Sequence, residues 1–326
     1  MPPQNSWKKR RSNLKKILSI ALRISITLLL LVFLFGRTDI KGLAGIARGS
    51  DVWRLVSAFV LYIFLNFLVI LRWQALLHGL SIRVGLSCVT VTYLSSQFFN
   101  LVLPSTIGGD AVRTIDMAKH ASCPSSGVLA TVILDRVGGF FGLMTVLTLA
   151  LLFGYRILND PAIIIVALIL FGMILLLFGI AFWGRFFGSI FRHVPFEKLR
   201  DYLYKIHEAT ASFKGRRNVL FFVWFLSCIG QAGISFMYYL ASEAIGVHIE
   251  PIYFFILVPV IMVFSVIPVS IGGLGVRDTA CVILLGKIGM AAEKAFALSL
   301  INFGFIFIVS IIGGLTYVFA LPRRRV

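Results

Sequence analysis

The sequence predicts an all-α membrane protein: a polytopic transmembrane helical bundle with two inverted-repeat-like halves and re-entrant broken helices. Three observations predict it. Of the 326 residues, 59% are hydrophobic and only 13% are charged, against about 45–50% and about 25% in ordinary soluble domains. Apolar runs of about 20 residues recur along the chain, the length that crosses ~30 Å of hydrocarbon. Finally, one polar, helix-breaking phrase is written twice. PSTIGGDAVR at 104–113 and PVSIGGLGVR at 268–277 share Pro, Ile, Gly, Gly, Val and Arg at the same offsets.

In chain order, the expected full spans are 17–36, 52–71, 125–153, 161–183, 219–241 and 294–321. The first follows a basic stretch and resembles a signal peptide. Its apolar run is longer than a signal core of about 7–15 residues, and no small-x-small cleavage site follows, so it reads as a retained helix. Two further apolar segments, 84–103 and 252–267, each run into a copy of the doubled phrase. Two stretches read as interfacial. One is TDIKGLAGIARGSDVW, between the first two spans. The other is VPFEKLRDYLYKIHEATASFKGRR, with Phe196, Leu199, Leu203 and Ile206 at helical spacing.

Charge placement sets the expected topology. The net charge is +18, with six Lys or Arg in the first 16 residues, eight from Arg185 to Arg217, and Arg323, Arg324 and Arg325 near the end. These clusters flank apolar runs, which is the positive-inside pattern facing anionic lipid. No aromatic-basic platform accompanies them, which argues against nucleic acid as a partner. If every apolar segment crossed once, the basic stretch 185–217 would fall outside the cell. If 84–119 and 252–288 instead enter and return to the same side, every large basic cluster is cytoplasmic, both termini included. Three full spans then separate the two phrases, an odd number that points the copies in opposite directions. This is the arrangement of an inverted repeat with broken helices near the midplane.

The phrase itself supports that reading. Proline removes a backbone donor and the glycine pair lets the chain turn. Irregular backbone inside a membrane is tolerated where protein buries it or where it lines a wet cavity. A single copy is explained equally well as a helix-ending loop. Two matched copies point to two half-helix pairs meeting around one site.

Charges inside apolar segments cost about 2.5–3.5 kcal/mol or more unless paired or hydrated, so each is informative. Asp110 and Arg113 follow the first glycine pair, Gly108 and Gly109. Arg277 and Asp278 follow the second, Gly272 and Gly273. ILDRVGG places Asp135 and Arg136 inside the third full span. Neighbours on a helix point different ways, so Asp135 and Arg136 are expected to pair with Asp110, Arg113, Arg277 and Asp278 rather than with each other. A purely structural ion network fits these residues too. Arg23 and Arg72 read as snorkelling residues near helix ends. In the functional reading, glycine amides and half-helix starts offer anion sites, and Arg113, Arg136 and Arg277 could hold a phosphate. The acidic partners keep the empty site from carrying unpaired positive charge.

Enzyme motifs are sparse. His78, His120, His193, His207 and His248 lack metal-site spacing, and there is no GxSxG or Walker loop. Cys88, Cys123, Cys228 and Cys281 form no CxxC pair and read as packing residues. No catalytic residue, metal or cofactor is assigned.

SSQFFNLVLPSTIGGDAVR, the following LDRVGG and the later VIPVSIGGLGVRD together resemble the flippase-like membrane region of lysylphosphatidylglycerol synthases, which also occurs as stand-alone proteins. Asn100, Pro104, Gly108, Gly109, Asp110 and Arg113 match the first motif, Arg136 the charged position of the next helix, and Pro268, Gly272, Gly273, Gly275 and Arg277 the second motif. Asp278 stands where Glu is usual. The resemblance implies one flippase-like domain over 17–321, with repeat halves near 84–153 and 252–321, a basic cytoplasmic segment 1–16 and a basic tail 322–326. It implies binding or translocation of a phospholipid, or of a lipid-linked sugar. In bifunctional members a soluble synthetase domain follows the membrane region; this sequence ends after its last expected helix, so the synthase activity is not carried over. The leading expectation is a lipid flippase or lipid-handling permease in the cell membrane, its cavity lined by the residues above. The alternatives are an accessory subunit presenting lipid to a separate transferase, and a small membrane transferase using Asp110 or Asp135 as base.

Overall fold

A computed structural model describes residues 40–103, 108–154, 215–266 and 275–320, with isolated positions 165, 168, 169, 171, 172, 208 and 211–213. The expected span 17–36, most of 161–183 and of 184–218, both basic termini, Arg23, and Pro104, Pro268, Gly272 and Gly273 lie outside the described residues.

The described helices are α1 (Ile40–Gly49), α2 (Val52–Gly79), α3 (Leu86–Val102), α4 (Gly108–His120), α5 (Ser125–Gly154), α6 (Arg217–Ala244), α7 (Pro251–Val266), α8 (Val276–Gly286) and α9 (Ala292–Ala320). Among them, α2, α5, α6 and α9 are long and apolar enough to cross a membrane. Large apolar side chains face outward along them, including Phe64, Phe67, Leu152, Phe221, Phe225 and Phe319. In water such a surface would be a liability; against acyl chains it is the ordinary outer face of a spanning helix. The chain is therefore an all-α, polytopic integral membrane protein.

Asp51 starts α2 by accepting the Trp53 and Arg54 amides at 2.9 and 3.2 Å, which satisfies donors that a helix start leaves orphaned. The helix then runs to Gly79, past the expected end at 71. Arg72, which read as a snorkelling residue near a helix end, is buried instead, and so is Trp73 beside it. Their polar atoms find partners inside the bundle: the Trp73 indole N–H donates to the Thr131 hydroxyl of α5 at 3.1 Å.

Antiparallel packing of α2 and α6 forms the central seam. The Asp51 amide bonds the Ala244 carbonyl at 2.9 Å, Leu65 packs on Gly233, Arg72 bonds Ser227 at 2.9 Å, and Gly79 meets Val219. Beside this seam lies α5. A Cβ at Gly142 would overlap the Ser227 backbone, so glycine is what lets α5 and α6 approach this closely.

The other helices are short. At ~1.5 Å per residue, none of α3 (17 residues), α4 (13), α7 (16) and α8 (11) covers ~30 Å of hydrocarbon. α4 folds back along α3. Its start at Gly109 lies against Ser96 and Asn100, while Met117 and Ala118 near its end share an apolar cluster with Val89 near the start of α3. The second short pair attaches at the opposite end of the α2–α6 seam, where the Lys294 ammonium donates to the Gly246 carbonyl at 3.0 Å beside the α6–α7 turn. Helix lengths recur in order: 28, 17, 13 and 30 residues for α2–α5, then 28, 16, 11 and 29 for α6–α9.

Candidate functional site: an ion network beside a cavity

Asp135 lies on α5 and is buried. One of its oxygens accepts the Arg72 Nε–H of α2 at 2.7 Å. The other accepts both terminal nitrogens of Arg113, from α4, at 3.0 Å each. Arg113 also stacks on Trp73, its guanidinium carbon 3.7 Å from the ring centre, a contact that strengthens when desolvated. Arg72 spends a further donor on Ser227 of α6 at 2.9 Å. Reading Arg72 as a snorkelling residue is thus overturned. That reading assumed the helix had already ended, whereas Arg72 faces inward and is neutralised by a carboxylate three elements away in sequence.

Arg136, the neighbour of Asp135, points elsewhere, as helix geometry requires. Its Nε donates to Asp110 at 2.8 Å, and a terminal nitrogen lies at the same distance. This pair is more open, with Arg136 37% and Asp110 17% exposed. Asn100 supports the start of α4, its side-chain oxygen accepting the Gly109 amide at 3.0 Å. Gly109 is close-packed: a Cβ there would overlap the Ser96 carbonyl and the Asn100 side chain. Gly108 lies against Leu103.

These groups surround a cavity of about 330 Å³ that reaches Asn100, Asp110, Arg113, Asp135 and Arg136. A second lobe of about 210 Å³ continues from it past Arg72, Tyr93, Gln97 and Gln231. Met262 and Ser265, near the end of α7, complete one wall of the first lobe.

The second copy of the phrase is placed differently. Gly275, at φ 81°, opens α8 in a backbone region that favours glycine. Asp278 turns back to accept the Gly275 amide at 2.9 Å, and its other oxygen accepts Arg277 at 2.9 Å and the Ser299 hydroxyl of α9. Arg277 and Asp278 are both buried, and neither lines the two lobes. The expectation that they would partner Asp135 and Arg136 is corrected: Asp110 and Arg113 fill that role, while Arg277 and Asp278 neutralise each other.

Sequence reasoning misread Arg72 and passed over Tyr93, Gln97, Ser227 and Gln231, all of which line the lobes. A signal was available for two of those passed over. Tyr93 and Gln97 are four residues apart in an apolar segment, so they share one helix face. No group of three His, Cys, Asp or Glu side chains is placed to hold a metal ion among the described residues.

An all-helical bundle with spanning and short helices, wrapped around a compensated charge network and a cavity, defines a polytopic membrane protein with a polar interior. Residues 20–314 match the family described as the lysylphosphatidylglycerol synthase TM region, and the chain belongs to that family. It is also similar to a UPF0104 membrane protein of Methanothermobacter thermautotrophicus, at 22% identity over 318 residues, covering 90% of this chain and 89% of the relative. No solved structure matches.

Proposed function

We propose that this protein is a lipid flippase or lipid-handling permease whose cavity receives the phosphate-bearing headgroup of a membrane phospholipid or lipid-linked sugar. The carrying observation is the convergence of Arg72, Arg113 and Arg136 with Asp110 and Asp135 on one cavity inside apolar helices. A buried charge cluster needs a reason, because desolvating each ion costs several kcal/mol. Preorganised guanidinium groups beside a cavity give a phosphate matched donors without collapse of the empty site, since the carboxylates hold them in place.

Two further features support passage rather than simple storage. The recurring helix lengths fit two related units, each one long helix, a short hairpin and a second long helix. The antiparallel α2–α6 seam fits an inverted relation between those units, with re-entrant hairpins entering from opposite ends. This extends each expected half by one helix at its start. The termini and the basic stretch 185–217 are taken as cytoplasmic, following the charge rule. The family description names a synthase region, which favours a second reading, presentation of lipid to a separate transferase.

Purified protein reconstituted in liposomes with a fluorescent phospholipid tests this. Reduction of the inner-leaflet label by an impermeant quencher, in the presence of this protein alone, supports translocation. Lipid binding without scrambling supports presentation. Absence of any co-purified or added lipid on native mass spectrometry sinks both. Labelling of a cysteine at Ser212 from outside intact cells would overturn the assigned topology.

A further inference from the structure

The two short helices that lead into the doubled phrase are held in different ways. α3 is clamped along its second half. A Cβ at Gly313 of α9 would overlap the Leu94 carbonyl, and one at Gly314 would press on the Phe98 ring. The Ser310 hydroxyl donates to the Gln97 carbonyl at 3.4 Å, and Tyr317 meets the Phe99 ring edge-on at 5.2 Å.

α7 is divided instead. Its first half is anchored: Phe254, Ile256 and Leu257 are fully buried, and a Cβ at Gly154 of α5 would press into Ile252 and Ile256. Then comes Pro259, inside the helix. Proline has no N–H to return to the Phe255 carbonyl, and its ring crowds that same carbonyl, so a helix bends or gives at this point. Ser95 holds the matching place in α3, nine residues ahead of its phrase as Pro259 is.

Beyond Pro259 the grip is apolar and adaptable. Val263 packs with Leu143 and Met144 of α5, and Met262 and Phe140 lie against them. Methionine is unbranched and repacks readily. The Ser265 hydroxyl turns back to the Ile261 carbonyl at 3.2 Å, a bond that bends a helix rather than tying it to a neighbour. It is this part of α7, through Met262 and Ser265, that walls the first lobe. An anchored half, a break and a loosely held half beside a cavity make a lever.

We propose that Pro259 is a hinge, and that 260–265 is a gate whose swing opens the cavity toward the end of the α2–α6 seam where α7 starts. α3, clamped to α9, stays fixed. The gate carries no charge and selects no ligand; it sets when the cavity meets that face. This rests on the reading of the cavity as a passage.

Hydrogen exchange on the unmodified full-length protein in detergent is the first test. Amides at 260–265 should exchange at least about tenfold faster than those at 255–258, the effect of one absent backbone bond, while 96–101 in α3 stay as protected as 90–94. Pro259→Ala supplies the missing N–H and suits a helix, so exchange at 260–265 should slow by about tenfold. The second test is access. Val69→Cys puts a thiol on the α2 wall of both lobes. An impermeant thiol reagent outside intact cells, read by mass spectrometry on that peptide, should label it about tenfold more slowly once Pro259→Ala is added, because the open population falls with the opening equilibrium. Equal exchange in the two halves of α7 overturns the hinge without any variant, which decides the matter if Pro259→Ala does not purify. Slower exchange with unchanged labelling overturns the gate. Labelling from the cytoplasmic side alone, with and without Pro259→Ala, overturns the gate and leaves the lipid reading standing. A thiol that the reagent reaches from neither side overturns the passage reading together with the gate.

Discussion

The two copies of the doubled phrase start from nearly the same words and reach different environments. In the first, the arginine of α4 finds its counter-ion on another helix and faces a cavity. In the second, the arginine of α8 is bonded to the very next residue and sealed in the core. Among the differences between them, the position of one carboxylate bears most directly on the arginine. The first copy has Asp110 three residues before its arginine and Thr114 just after it; the second has Leu274 and Asp278 at those places. Moving the acid by four residues, one helical turn, changes its task. Asp110 is drawn to Arg136, which leaves Arg113 to engage Asp135. Asp278 caps its own helix and neutralises Arg277. The glycine pair and arginine determine that a helix begins and a cation follows. Where the acid falls determines whether that cation faces a cavity or braces the core.

The largest expected effect lies in the sealed copy. Asp278→Ala leaves Arg277 buried without its counter-ion and strips the start of α8, a loss of about 3–5 kcal/mol. Thermal aggregation in detergent should begin at a clearly lower temperature, and an unchanged transition would mean that the second copy is not a brace. Next comes a crossed pair of substitutions. Arg113→Gln should weaken anionic-lipid binding at least about tenfold, as expected for loss of charge-assisted bonds. Arg277→Gln should lower thermal stability while protein that remains folded binds lipid normally. The reverse pattern, measured by titration and melting on the same samples, would dissolve the contrast.

Packing sharpens the comparison at smaller scale. Gly109→Ala pushes a methyl group into the Ser96 carbonyl and should cost about 1–3 kcal/mol. Gly304→Ala in α9 meets nothing within 4 Å and should be neutral, or stabilising by up to about 1 kcal/mol through helix propensity. Equal melting shifts for the two would show that the α3–α4 approach is not tight. The smallest stability effect is expected for Arg136→Gln. This pair is partly open, so screening limits its contribution to under about 1 kcal/mol. Lipid binding should still fall, which separates a role in recognition from a role in folding.

Much of this was legible in the sequence because the membrane makes the code strict. Long apolar runs gave α2, α5, α6 and α9 within a few residues at most of their ends, since hydrocarbon thickness fixes their length. Pairing of Asp135 and Arg136 with other helices followed from helix geometry alone. Arg72 was misread because hydropathy sees a charge after an apolar run and cannot see the acid on α5 that receives it. Gln231 was missed for a related reason: an isolated amide in an apolar helix is silent until the opposite wall is known. The pairing of Arg277 with Asp278 was hidden by the rule that adjacent helical residues diverge. That rule weakens at a helix start, where Asp278 curls back toward Gly275.

Arg72, Arg113 and Asp135 also impose an order in time. Both arginines precede the aspartate in the chain, on α2 and α4, so they leave the ribosome before α5 does. A nascent chain that stops at His120 holds two cations without their shared anion; one that reaches Gly154 has the full set. Release of α5 into the bilayer is thus favoured by counter-ions already waiting, and Asp135 need not enter lipid as a lone charge. Truncation after His120 should accordingly leave a fragment that is cleared by membrane quality control, whereas truncation after Gly154 should leave one that persists longer, a difference readable by pulse-chase. Persistence of the longer fragment alone would make the triad a checkpoint in biogenesis as well as a part of the finished fold.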